Sequence, residues 1–382
     1  MKKTYLLTPG PTQVPESVLS LAAKPILHHR TPQFVALMED VKQGLKYLFQ
    51  TKQDVLMLSS SGTGAMEAAV TNLFRKGDKV ITINAGKFGE RWTKLAKAYG
   101  LNPIEIKLEA GQAVTAKQVE EHLNKTPEIR GVLFQASETS TGTAMPTREI
   151  CALVKSRKDC ISIVDGITAV GVFDLPMDDW GIDVLITGSQ KALMLPPGLA
   201  AISLSDKAWT FNETSDIPRF YFDLAKERKG LAKGQTAWTP AVGLVVGLQE
   251  TLKMIRDEGL HNVFKRHELL AKATRNAVKA LGLEILSKDS PSSAVTAVRV
   301  PAEIKDGKAI PKTMRDKYGV TIAGGQDELE GKIFRLTHLG YIDRFDILIG
   351  VGALELTLQD LGYTKFQFGA GTGAVLQTYK TS

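Results

Sequence analysis

The chain has 382 residues, an ordinary length for an enzyme built from one large and one smaller domain. Hydrophobic residues make up 43% and charged residues 23% of it, which excludes a disordered chain and a fibrous repeat. Lysine and arginine number 48 against 41 acidic residues, a formal charge of +7 with no long basic run; screened over about 8 Å at physiological salt, that excess steers small anions and does not form a nucleic-acid groove.

The N-terminal apolar stretch is short and broken by Pro9, unlike a signal peptide. No segment approaches the roughly 18 apolar residues of a membrane span. A cytoplasmic protein with neither nucleic acid nor membrane as partner is expected.

Residues 1–30 form an arm with no clear place of its own, expected to pack on the smaller domain. From 54 to 204, short apolar runs (54–58, 79–84, 103–108, 131–136, 161–164, 184–187 and 200–204) alternate with helical patterns such as 91–99, 116–123 and 147–158. Runs apolar at nearly every position read as strands covered on both faces, so the fold class is α/β, a mostly parallel sheet with helices on both sides. A polar, irregular stretch (212–239) precedes long helical patterns at 241–255 and 260–281. Strands at 294–300 and 332–336 and helices at 311–318 and 345–361 then read as a smaller α+β domain. The division expected is a large domain at 31–282 and a small one at 283–382. The Gly-rich stretch 368–374 has no strand before it or helix after it and reads as a flexible tail.

Four features fall at strand ends or on a small-domain strand, and their joint occurrence points to chemistry. Ser59-Ser-Ser-Gly-Thr-Gly-Ala-Met-Glu67 follows the first strand and opens a helix; free N–H groups at such a start bind phosphate, although no Walker-type Gly-Lys ends the loop. Asp165, just after 161–164, could hold a pyridine nitrogen protonated through a charge-assisted bond. Lys191, closing Thr187-Gly-Ser-Gln-Lys, is one strand further on and suits an amine that must lose its proton in a desolvated cleft. Arg335, on the small-domain strand, offers a fork for a substrate carboxylate. Each has an ordinary alternative: a simple turn, a loop aspartate, a surface lysine, a salt bridge.

Only two cysteines occur, Cys151 and Cys160. They read as buried structural thiols of a reducing compartment, too few for an iron–sulfur or nickel–iron centre of the usual thiolate type, and no metal site is expected.

Ser61-Gly-Thr63, Glu138-Thr-Ser-Thr-Gly142, Asp165 and Gly188-Ser-Gln-Lys191 resemble the class V, fold type I aminotransferases, especially the serine– and alanine–glyoxylate group. Thr8-Pro-Gly-Pro11, Asn84-Ala-Gly-Lys-Phe-Gly-Glu-Arg91 and 335–340 extend the likeness over nearly the whole chain. The resemblance implies a fold of the aspartate-aminotransferase type, pyridoxal 5'-phosphate as cofactor, and a Schiff base on Lys191, which would also shuttle a proton. Asp165 would pair with the ring nitrogen and Thr139 with the ring oxygen. Ser61, Gly62, Thr63 and Gln190 would hold the phosphate, Phe88 and Ile167 would sandwich the ring, and Arg335 would take the substrate carboxylate. Thr239 and Thr236 would reach the phosphate of a neighbouring subunit in a homodimer, with His29 and Arg30 near the shared site. The expected reaction moves an amino group from serine or alanine to glyoxylate or a similar small 2-oxo acid. Thr63 and Phe88 stand where His and Trp are frequent in that group, and Leu336-Thr337 where Ile-Gly commonly follows the arginine; these departures bear on the substrate more than on the cofactor.

Alternatives are lyase or decarboxylase chemistry on the same cofactor, and an accessory small-subunit role in a soluble hydrogenase, a name carried by some similar sequences. A cysteine desulfurase would need a mobile thiol, which neither cysteine's position supplies.

Overall fold

In the computed structural model, residues 3–381 are described. The chain begins with β1 (Tyr5–Leu6), α1 (Glu16–Ala22) and α2 (Pro32–Phe49), then β2 (Val55–Leu58), α3 (Gly62–Leu73), β3 (Lys79–Asn84), α4 (Lys87–Ala98), β4 (Asn102–Lys107), α5 (Ala116–Lys125) and β5 (Ile129–Gln135). A short pair, β6 (Ser137–Glu138) and β7 (Thr143–Ala144), leads to α6 (Thr147–Lys155), β8 (Ile161–Asp165), α7 (Met177–Trp180), β9 (Val184–Gly188) and β10 (Ala200–Leu204). Next come α8 (Asp206–Asn212), α9 (Leu224–Leu231), α10 (Val242–Glu258) and α11 (Leu260–Ala280). The remainder is β11 (Val295–Arg299), α12 (Ala309–Tyr318), β12 (Val320–Thr321), β13 (Ala323–Gly324), β14 (Ile333–Thr337), α13 (Arg344–Asp360) and α14 (Ala370–Lys380).

Seven strands form one sheet in the order β2-β10-β9-β8-β5-β3-β4. All neighbours are parallel except β10, which runs antiparallel to both β2 and β9. Every residue of β2, β8, β9 and β10, and all of β5 but Arg130, is buried, because helices cover both faces; that is why these strands are mostly apolar rather than alternating. Helix starts follow local chemistry: Thr31 caps α2 with Pro32 in its first turn, and Thr115 and Gln118 form a capping box on α5.

A second sheet, β11-β14-β13, is antiparallel and packs with α11 to α14 around a separate core that includes Phe334, Leu354 and Met314. The core changes over inside α11: Leu260 and Val263 belong to the large core, Leu270 to Val278 to the second. The N-terminal arm divides its packing. β1 pairs with β12 of the second unit, whereas α1 lies on α10 and buries Val18 in the large core.

Two expectations fail. The Gly-rich tail is not flexible: residues 370–380 form α14, which packs on α11 and buries Val375 completely. Its start is held from elsewhere in the chain, Glu355 of α13 accepting the Gly369 N–H at 2.6 Å and the Thr372 N–H at 2.7 Å, with Gly369 at φ +87°. The stretch 212–239 is not irregular throughout either, since Asp223 caps the eight-residue helix α9.

Candidate active site

The carboxyl ends of β2, β5, β8 and β9 converge on a cavity of about 310 Å³. Of the residues named from sequence, it is lined by Ser61, Gly62, Thr63, Phe88, Thr139, Asp165, Ile167, Gln190 and Lys191. Residues scattered over 130 positions thus meet because parallel strands present the same end to one crevice.

At one end stands the N-terminus of α3. Ser61 takes the extended cap conformation yet makes no side-chain cap bond; the Gly64 N–H turns back to the Ser61 carbonyl at 2.9 Å, and no side chain caps the Gly62 and Thr63 N–H groups before it. A Cβ on Gly62 would fall 2.3 Å from Ile167 Cδ1, so only glycine lets Ile167 fold over the helix start. Thr63 accepts a 2.9 Å bond from Arg91, whose guanidinium lies 4.9 Å from the centre of the Phe88 ring. Gln190 carries a buried side-chain oxygen without a hydrogen-bond partner.

Asp165 ends β8, 4% exposed, and accepts the Ile167 N–H at 2.9 Å. Burial raises its pKa to about 7 against the lowering effect of that bond. Lys191 is also buried; desolvation, then Arg335, lower its pKa to about 8, while Asp165 opposes them. An amine that releases its proton near neutrality is what nucleophilic attack on a carbonyl requires.

The lysine is covered by the N-terminal arm. Its Nζ donates to the Pro9 carbonyl at 2.6 Å, and Thr12 bonds back to the Lys191 carbonyl through its hydroxyl at 3.0 Å. Arg91, Gly10 and Thr12 were part of no residue-level expectation. Gly10 and Arg91 lie within the motifs at 8–11 and 84–91, and Thr12 follows directly on the first.

Arg335 is 6% exposed and is no surface salt bridge. Its Nε donates to the Gly324 carbonyl at 2.9 Å and its Nη1 to the Thr139 carbonyl at 3.2 Å. It is not among the residues that line the cavity, yet its charge is near enough to lower the pKa of Lys191. Burial pulls its pKa down to about 10, opposed by Glu138.

Thr236, Thr239, His29 and Arg30 do not line this chain's own cavity. Thr236 donates to the Trp238 carbonyl beside a separate small cavity, and Thr239 and Arg30 are exposed. The cysteines are buried in and after α6, away from the cavity, with thiols pushed up to about 12 by burial. No described helix is long and apolar enough to cross a membrane.

The donor set fits pyridoxal phosphate. The helix start without a side-chain cap, with the Gln190 side chain lining the same cavity and its NH₂ able to donate, suits a phosphate, and a buried carboxylate with one backbone bond suits a cationic ring nitrogen.

Fold and site together define an aminotransferase enzyme of fold type I. The solved structure of the ureidoglycine–glyoxylate aminotransferase of Bacillus subtilis is similar over 100% of this chain and 99% of its own, with a TM-score of 0.94 at 27% identity. The chain belongs to the aminotransferase class-V family, whose model it matches over residues 4–334; this family is dependent on pyridoxal phosphate. It is 43% identical to the soluble hydrogenase 42 kDa subunit of Anabaena cylindrica, over 99% of both chains. To the L-aspartate–glyoxylate aminotransferase of Paracoccus denitrificans it is 36% identical, over 98% of this chain and 96% of the other.

Proposed function

We propose that the protein transfers an amino group from serine or alanine to glyoxylate or a similar small 2-oxo acid, using pyridoxal phosphate linked to Lys191. The observation that carries this reading is the pairing of Asp165 and Lys191 in one buried cavity beside the α3 N-terminus. Glyoxylate as acceptor is supported by the names of two of the relatives above, whose donors differ from each other.

When bound, the cofactor supplies an electron sink that loosens the α-hydrogen of an amino acid joined to it. Ser61, Gly62, Thr63 and Gln190 would hold its phosphate and Phe88 and Ile167 its ring faces. Asp165 would keep its carboxylate opposite the ring nitrogen, and Thr139 its hydroxyl by the ring oxygen. The amine of Lys191, released from its ordinary protonation by burial, takes up a proton at Nζ and returns it to the substrate side. Arg335, fixed by two carbonyls, keeps guanidinium N–H groups for the substrate carboxylate. A small uncharged donor is favoured because Arg91, the other guanidinium at the cavity, is already engaged by Thr63 and Phe88.

A half-reaction screen tests the reading. The absorption of the bound cofactor must be lost with L-serine or L-alanine and return with glyoxylate. Turnover of a single amino acid with no 2-oxo acid would instead favour a lyase or decarboxylase. Association with a hydrogenase remains a second reading on the strength of the Anabaena relative's name, and its sign would be hydrogen uptake that survives Lys191→Ala.

A further inference from the structure

Glu138 is fully buried, with no exposed surface, and the chemistry assigned above leaves it without a task. Its carboxylate is surrounded by donors. Oε2 accepts the N–H of Gly89 at 2.9 Å, the N–H of Phe88 at 3.2 Å and the side-chain amide of Gln135 at 3.0 Å. Oε1 accepts the N–H of Ser140 at 3.0 Å and the Ser140 hydroxyl. Burial raises its pKa, opposed by the bonds from Ser140, Gly89 and Phe88, and both its oxygens are already satisfied by donors.

The bonds fall on two walls of one cavity. Phe88 and Gly89 open α4, so the carboxylate sits at the positive end of that helix and fixes the backbone that carries the Phe88 ring. On the other side, the Ser140 N–H belongs to the peptide whose carbonyl, that of Thr139, accepts from Arg335. One peptide plane is therefore clamped at its N–H by Glu138 and at its C=O by Arg335. Its residue Thr139 lines the cavity, its hydroxyl bonded to Thr168 at 2.9 Å. Gly86 makes the approach possible: at φ +156°, a Cβ there would meet the Glu138 carboxyl carbon at 2.9 Å and the Ser140 hydroxyl oxygen at 2.3 Å.

We propose that Glu138 is a positioning residue that locks the Phe88 wall to the Thr139–Arg335 wall, so that ring stacking and carboxylate binding are set by one buried carboxyl group. This rests on the cofactor reading above. Glutamine in its place would turn an NH₂ group toward N–H donors while keeping the volume.

The test uses the full-length protein with pyridoxal phosphate, L-alanine and glyoxylate as probes. Glu138→Gln is expected to weaken pyridoxal phosphate binding at least tenfold, to diminish the visible circular dichroism of the bound cofactor, and to raise KM for both substrates more than it lowers kcat. Glu138→Asp, which keeps the charge, is expected to recover part of each. A lower melting temperature of the cofactor-free protein with cofactor affinity and dichroism unchanged would make Glu138 merely structural and overturn the proposal. Should Glu138→Gln not fold, Ser140→Ala removes one donor from behind the wall; a threefold or greater loss of affinity supports the lock, and no change overturns it. Wild-type protein that binds no pyridoxal phosphate would sink the functional reading and this one with it, whereas normal wild-type binding with unaltered variants sinks this one alone.

Discussion

Gly10 leaves the space that the Lys191 amine fills. A Cβ on Gly10 would lie 2.2 Å from Nζ, and the residue's φ of +143° is one that side chains rarely tolerate. The N-terminal arm is thus part of the lysine's surroundings, with the Pro9 carbonyl as its hydrogen-bond partner. Gly10→Ala is expected to combine backbone strain of about 1–3 kcal/mol with displacement of the amine. Activity should fall by at least tenfold while the far-ultraviolet circular dichroism stays native. Unchanged turnover would show that the arm does not position Lys191.

The two central ionisable groups shift stability in opposite directions with pH. Asp165 has a folded pKa raised from 3.8 to about 7, so the folded state binds the proton more tightly and the stability it contributes is lost as pH rises from 4 to 7. The shift corresponds to about 4 kcal/mol as an upper bound. Lys191 is lowered from 10.5 to about 8, so stability is recovered as pH rises from 8 to 10.5. Chemical denaturation of cofactor-free wild type and Asp165→Asn across pH 4–7 should show the wild type losing ground to the variant; a constant difference would contradict the burial of an unpaired carboxylate.

Arg335 makes its contacts through a planar fork, which lysine does not reproduce. Arg335→Lys is expected to raise KM for amino and 2-oxo acid alike by about 10-fold to 100-fold, the range of a lost charge-assisted bond pair. The cofactor spectrum should change little. An equal loss with an amine substrate that lacks a carboxylate would show that Arg335 acts on the cofactor instead.

Much of this was legible locally, and the failures share a cause. Apart from the edge strand β4, the apolar runs from 79 to 204 mark strands because burial on both faces leaves a signal in each segment alone, and the motifs ending in Asp165 and Lys191 lie where those strands stop. Glu355 caps α14 from another helix, a contact that leaves no local signal, so 368–374 reads as a tail. The antiparallel insertion of β10 between β2 and β9 is equally hidden, since apolar strands look alike in either direction. Glu138 stood in plain view within a recognised motif, but its role depends on α4 arriving from fifty residues earlier in the chain.

Thr239 is exposed and does not line its own chain's cavity, so the proposed homodimer is what would bring it to a phosphate. In that proposed homodimer a negative charge there would face the phosphate of the neighbouring subunit. Thr239→Glu is therefore expected to weaken pyridoxal phosphate binding at least tenfold without lowering the melting temperature of the cofactor-free protein. Wild-type affinity in that variant would argue against a shared site.

Borohydride reduction of the protein with pyridoxal phosphate, followed by peptide mass mapping, tests the central claim most directly. The account predicts a pyridoxyl adduct on the peptide containing Lys191 and its disappearance in Lys191→Ala. No adduct, or an adduct on a different lysine that survives Lys191→Ala, would contradict it.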